Sequence, residues 1–153
     1  METIDQLKQA AENKRKESRI MSRAYSATLA ALTPANLILV VGAALLSLVA
    51  GATILIENNL LTKNQSGILA LLSGAFTIVH SKLGCEQYQT ECKKLLSFYR
   101  GISEDYSNLQ VITDISEFKK SLSTLNDQLS TTIKNSSAQP FDWAITKAKK
   151  CEG

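Results

Sequence analysis

Residues 37–56 read LILVVGAALLSLVAGATILI, twenty residues without a charged side chain. They lie inside a longer uncharged run, Ala24 to Ile56. At about 1.5 Å rise per residue, twenty helical residues reach roughly 30 Å, the thickness of a bilayer's hydrocarbon core. No water is available there to satisfy peptide groups, so a helix that closes its own hydrogen bonds is the expected structure. This stretch is therefore read as a transmembrane helix, and the fold as an all-α membrane protein.

Upstream, Met1 to Arg23 has the pattern of an amphipathic helix. Thr3 and Gln6 stand at capping-box spacing, and Ile4, Leu7 and Ala11 recur at helical intervals. Lys14, Arg15, Lys16, Arg19 and Arg23 gather just before the apolar run. They suit either a solvated helix face or contact with anionic headgroups. Tyr25 stands where an interfacial aromatic is expected. Thr33-Pro34 is a good helix start, since Thr caps and Pro lacks only an N–H that would be unpaired anyway. The spanning helix is expected to begin at Pro34, or a continuous helix to kink there. Along it Ala43, Ser47 and Gly51 are four apart, a small-residue stripe that lets a second helix approach closely.

Downstream, Glu57 to Gln65 is a short polar turn, and Ser66 to Leu83 (SGILALLSGAFTIVHSKL) is a second, weaker apolar segment. A turn this short after a span returns the chain, so the pair is read as a hairpin with spans at about 34–56 and 66–83. Six Lys or Arg precede the first span, Lys63 alone lies in the turn, and Lys82, Lys93, Lys94 and Arg100 follow. The positive-inside rule then places both termini in the cytoplasm and makes the protein a multi-pass plasma-membrane one. On the second span Ser66, Ala70, Ser73, Thr77 and His80 form a small, weakly polar stripe. It can line a water-filled path if several hairpins surround an axis, or it can pack against the first span and bond its backbone.

Beyond the hairpin, Cys85, Tyr88, Cys92, Leu95, Tyr99, Ile102, Tyr106 and Leu109 alternate at intervals of three and four. That is a heptad seam, the pattern of a long helix packed along its length on another. The partner is open: a second copy, a later helix of the chain, or the N-terminal helix. Thr113 or Asp114 can cap a further amphipathic helix carrying Ile115, Phe118, Leu122, Leu125, Leu129 and Ile133, and antiparallel packing on its predecessor buries both seams. Asn135 to Pro140 breaks the pattern before a short terminal helix over 141–150. Three regions result: an N-terminal cytoplasmic helix (1–33), the hairpin (34–83) and a cytoplasmic helical region (84–153).

Little in the 153 residues points to chemistry. A net charge of +3 is too small and scattered for nucleic-acid binding. The first twenty-three residues are hydrophilic, so the apolar segment is expected to be retained rather than cleaved as a signal peptide. Three cysteines are not a disulfide framework. Cys85 and Cys92 lie roughly 10 Å apart along a helix, and no zinc spacing is present. A Ser-His-Asp or Cys-His site would depend on the one histidine, His80, which sits at the inner end of an apolar segment. No enzyme, metal or cofactor is expected.

A basic N-terminal helix, two spans joined by a short turn, and a long Tyr-bearing helix together resemble the SLATT family of two-transmembrane effectors from bacterial nucleotide-signalling and anti-phage systems. The residues that carry the resemblance are Arg19 to Ala31, the hairpin Pro34 to Leu83, and the seam from Tyr88 to Leu109. The resemblance implies a homo-oligomer that forms a pore in, or depolarises, the membrane and arrests growth or kills the cell on infection. It also implies a trigger supplied by a sensor or nucleotide-second-messenger system encoded nearby. On that reading Ser66, Ala70, Ser73, Thr77 and His80 are candidate pore-lining residues. Ala43, Ser47, Gly51 and Gly74 are packing residues, and Tyr88 to Leu109 is an oligomer or bundle seam. The alternative is a non-conducting scaffold, its hairpin anchoring helices that recruit a cytosolic partner. A soluble bundle that hides the hairpin is a third reading.

Overall fold

The computed structural model describes residues 3–55, 63–82 and 85–152. Among them the chain is all-helical: α1 (Ile4–Leu55), α2 (Lys63–Lys82), α3 (Cys85–Asn108), α4 (Ile115–Asn135) and α5 (Asp142–Lys150), with a single 3-10 turn at Leu109–Val111. The chain divides into two compact units, residues 1–29 with 90–153, and residues 30–89. Helix α1 contributes to both.

Local sequence fixes the helix ends. The Thr3 N–H donates to Gln6 Oε1 at 3.0 Å, and the Gln6 N–H donates to Thr3 Oγ1 at 3.4 Å, the reciprocal box its spacing predicts. Of the two candidates for capping α4, Asp114 takes the role, accepting from the Glu117 N–H at 2.8 Å. Helix α4 ends when Ser136 turns extended, and Pro140 stands just ahead of α5. Three lysines occupy the last turn of α5, where they meet the negative end of the helix dipole.

One boundary differs from expectation. Pro34 is not a helix start but lies inside α1, which continues unbroken past it. Proline removes one hydrogen bond, to the carbonyl of Ala30, and Ala30 is exposed. Thr33 therefore lies inside the helix rather than at its start, and residues 4–33 are not a separate helix.

The first unit is a bundle built from residues 4–29 of α1 with α3, α4 and α5. Its core on α1 is mostly small, with Ala11, Ser18, Ser22, Ala24 and Thr28 buried, while α3 and the turn after it supply the bulk through Leu95, Tyr99, Ile102, Tyr106 and Leu109. The seam is therefore filled from within the chain. Lys8 Nζ donates to the Gln110 carbonyl at 3.0 Å, Gln110 Nε2 returns a bond to the Lys8 carbonyl at 3.1 Å, and Tyr25 stacks on Tyr99 with ring centroids 5.7 Å apart. These pairs run in opposite directions along the two helices, so α1 and α3 are antiparallel.

Helix α4 covers α3 from another side, also antiparallel. The Tyr106 hydroxyl donates to Asn126 Oδ1 at 2.8 Å, and Glu91 receives the Ser137 N–H and hydroxyl at 2.7 and 2.6 Å. Phe118 and Leu122 are buried, whereas Ile115 and Ile133 at the ends of α4 stay exposed. Tyr25 is not an interfacial aromatic: it is buried, and its hydroxyl donates to the Ala138 carbonyl at 3.0 Å. Helix α5 lays Ala144 and Ala148 against Ala24, with Ile20, Ala27, Phe141 and Ile145 around them.

Candidate functional site

The second unit comprises residues 30–55 of α1, helix α2 and the first turns of α3. On α1, Ala43 and Ala50 are buried and Asn36, Leu39 and Leu46 half-buried. These five are spaced three, four, three and four, so the inward face is a heptad stripe. It coincides with the Ala43–Ser47–Gly51 stripe only at Ala43, since Ser47 is exposed and Gly51 half-exposed. Sequence reading missed Ala50 because alanine and glycine alternate on several faces of this helix.

On α2, Ser66 and Ser73 are buried. The Ser73 hydroxyl donates to the Ala43 carbonyl at 2.8 Å, and Thr77 Oγ1 donates back to the Ser73 carbonyl at 3.0 Å. The weakly polar stripe of α2 is thus divided: Ser66 and Ser73 point inward, while Ala70 and Thr77 are exposed. The side chain of His80 lies outside the described residues, as do those of Cys85 and Lys63 and the segment 56–62 with Glu57.

Large apolar side chains occupy the outside. Thirteen of them between Leu37 and Val79 are exposed, among them Leu37 at 62%, Ile38 at 70% and Leu71 at 76%. In the most apolar 18-residue stretch of α1 only 11% of residues are buried. A core helix of a water-soluble domain would be mostly buried. Among the described residues α1 alone is long and apolar enough to cross a membrane; the apolar part of α2, Gln65–Val79, is shorter.

Between the inward and outward faces of α2 runs a flank of Gly67, Ala70, Gly74 and Thr77, spaced three and four and all exposed. A Cβ at Gly67 or Gly74, or at Gly42 or Gly51 on α1, would meet nothing within 4 Å. Among the described residues, none comes close enough to these positions to require glycine there.

In the first unit, the seam residues from Cys92 to Leu109 are buried and Tyr88, in the second, is half-buried. Burial raises the hydroxyl pKa of Tyr99, and burial with the nearby Glu17 charge pushes that of Tyr106 up to about 12. Both are neutral packing groups at physiological pH. Glu91 is not a plain solvated charge: the Ser137 hydroxyl and then its N–H hold the carboxyl pKa below the ordinary value. Among the described residues no three His, Cys, Asp or Glu side chains cluster as a metal site would require. No family model, curated protein or solved structure matches this chain.

Proposed function

We propose that the protein is a two-span effector of the plasma membrane, with both termini cytoplasmic, whose hairpins assemble into a homo-oligomer that perforates or depolarises the bilayer. The supporting observation is the inverted hairpin, with small and hydroxyl-bearing residues inside and thirteen large apolar side chains outside. In water such a surface is a severe aggregation liability; in lipid it is the favoured arrangement. The resemblance to SLATT effectors supplies the activity and the setting in anti-phage defence, with a sensor or second-messenger system as trigger.

Assembly falls to the hairpin in this reading. The seam from Cys92 to Leu109 is covered by the chain's own α1 and α4, so this part has little free face to offer a second copy. The exposed flank Gly67–Ala70–Gly74–Thr77 is the surface on which another helix can approach closely. The test is release of ions and small dyes from liposomes bearing the purified protein at increasing density. Release should climb steeply with density, and Gly74→Leu should abolish it while insertion persists. Equal release by wild type and variant would refute the packing flank.

One observation favours a second reading, a non-conducting anchor for a scaffold. Ser73, the most plausible polar lining group, spends its hydroxyl inside the hairpin on Ala43. That reading predicts sealed vesicles at every density, with insertion confirmed, even when candidate triggers are added.

A further inference from the structure

The first unit contains a cleft of about 290 Å³ between α1 and α3, close to the lower end of ligand-cleft volumes, roughly 300 Å³. Helix α1 lines it with Arg19, Ser22, Arg23 and Ser26; α3 adds Arg100, Ser103 and Glu104. The sequence carries the same short pattern three times, as Arg19-Ile20-Met21-Ser22, Arg23-Ala24-Tyr25-Ser26 and Arg100-Gly101-Ile102-Ser103. Positions three apart share a helix face, so each copy sets a guanidinium beside a hydroxyl. Antiparallel packing of α1 on α3 turns all three copies toward one space.

Part of this positive charge is already answered by the chain's end. Glu152 Oε1 lies 3.3 Å from Arg19 Nε and 3.1 Å from Arg23 Nη1, placed there by the alanine contacts of α5 on α1. That oxygen is buried yet makes no directional hydrogen bond, so the pair is held by charge rather than by fitted geometry. Among the described residues no carboxylate pairs with Arg100. Three guanidinium groups outnumber the two carboxylates, Glu104 and Glu152, which leaves one positive charge unmatched and room for a third anionic group.

We propose that this cleft binds a phosphate group and that Glu152 is its intramolecular competitor. A phosphate presents three or more acceptor oxygens, enough for guanidinium forks from two helices and serine hydroxyls at once, where a carboxylate presents two. Ser103, whose hydroxyl donates to the Arg100 carbonyl in the free form, would turn to the ligand. The phosphate can belong to a soluble phosphoester or to an anionic lipid headgroup, the latter because Arg23 is the last charge before the uncharged run. The inference is independent of whether the hairpin conducts.

The test uses the full chain. In neutral maltoside micelles, titration calorimetry with inorganic pyrophosphate measures the soluble arm. In nanodiscs of phosphatidylcholine, with or without phosphatidylglycerol, hydrogen exchange at residues 100–104 and 148–152 measures the lipid arm. Ligand should protect 100–104 and speed exchange at 151–152 as Glu152 is displaced. Pyrophosphate binding identifies a soluble source, and protection that requires phosphatidylglycerol identifies a headgroup. In whichever arm responds, Arg100→Gln should weaken binding roughly tenfold or more, as loss of a charged hydrogen bond does. Glu152→Gln should tighten it roughly two- to fivefold, the weight of a part-exposed ion pair. Because Glu152→Gln predicts a gain, misfolding cannot imitate its success. No response in either arm from wild type and Glu152→Gln, or binding indifferent to Arg100→Gln in a folded protein, would overturn the proposal.

Discussion

The two units of this protein are built by opposite rules from the same helical backbone. In the bundle, Tyr99, Tyr106 and Phe118 are buried, and the described charged residues are exposed or half-buried. In the second unit, Ala43, Ala50, Ser66 and Ser73 are buried and Leu37, Ile38, Leu71 and Ile78 are exposed. Water rewards removal of large apolar surface, at roughly 25 cal/mol per Å², so the bundle hides Tyr99, Tyr106 and Phe118, although Trp143 stays half-exposed. Lipid gives no such reward, and contact there depends on close approach and on hydroxyl bonds to backbone. The inversion is what a lipid-facing second unit, as proposed above, would require.

The largest effect should come from the bundle's core. Phe118→Ala should destabilise the first unit by about 3–5 kcal/mol in denaturant unfolding, because a fully buried ring leaves a cavity behind. Leu71→Ala, an exposed site of comparable apolar character, should leave that transition in place. A similar loss at both positions would erase the contrast.

Next is a charge in the hairpin. Leu45→Arg, at an exposed position near the middle of the apolar run, should oppose insertion by about 2.5–3.5 kcal/mol, read as a lower membrane-integrated fraction after alkaline extraction. Unchanged integration would mean that this face does not meet hydrocarbon. A smaller effect is expected inside the hairpin. Ser73→Ala removes one hydroxyl bond to the Ala43 carbonyl and should cost about 0.6 kcal/mol of helix association in bilayers.

The bundle should also have two pH edges that the hairpin's interior lacks. The folded pKa of Glu91 lies below its ordinary value of 4.5, so its contribution is present above that value and lost as pH falls through the folded pKa. The folded pKa of Tyr106 lies above its ordinary value of 10.0, so its contribution is present below pH 10.0 and lost as pH rises toward about 12. Ser137→Ala should soften the acid edge, and Tyr106→Phe should move the alkaline one, both measurable by thermal unfolding across pH. Edges unchanged in both variants would assign them to other groups.

Much of the helical layout was legible in the residues. The Thr3–Gln6 box, the Asp114 cap, the antiparallel pairing of α3 with α4 and the break before α5 all follow from local chemistry. The occupant of the α3 seam was not, because periodicity reveals that a face needs cover and says nothing about the cover. Tyr25 was misplaced for a related reason. An aromatic beside an apolar run suits a membrane interface as well as a protein core, and only the Tyr99 ring and Ala138 carbonyl decide between them. At Pro34 the residues allowed a helix start or a continuous helix, and the structure has the second, with Ala30, whose carbonyl loses a hydrogen bond, exposed. The Arg-x-x-Ser repeats were visible as letters, but their convergence depends on two helices lying side by side.

The most direct test of the membrane reading is solvent accessibility at spin labels placed on Ile68 and Val111 in liposome-reconstituted protein. Both side chains are exposed, at 57% and 83%, one on the outer face of α2 and the other in the bundle's 3-10 turn. The label at Ile68 should be relaxed by oxygen and shielded from a water-soluble nickel complex, and the label at Val111 should show the reverse. A nickel-accessible label at Ile68 would place the hairpin's apolar face in water and contradict the account.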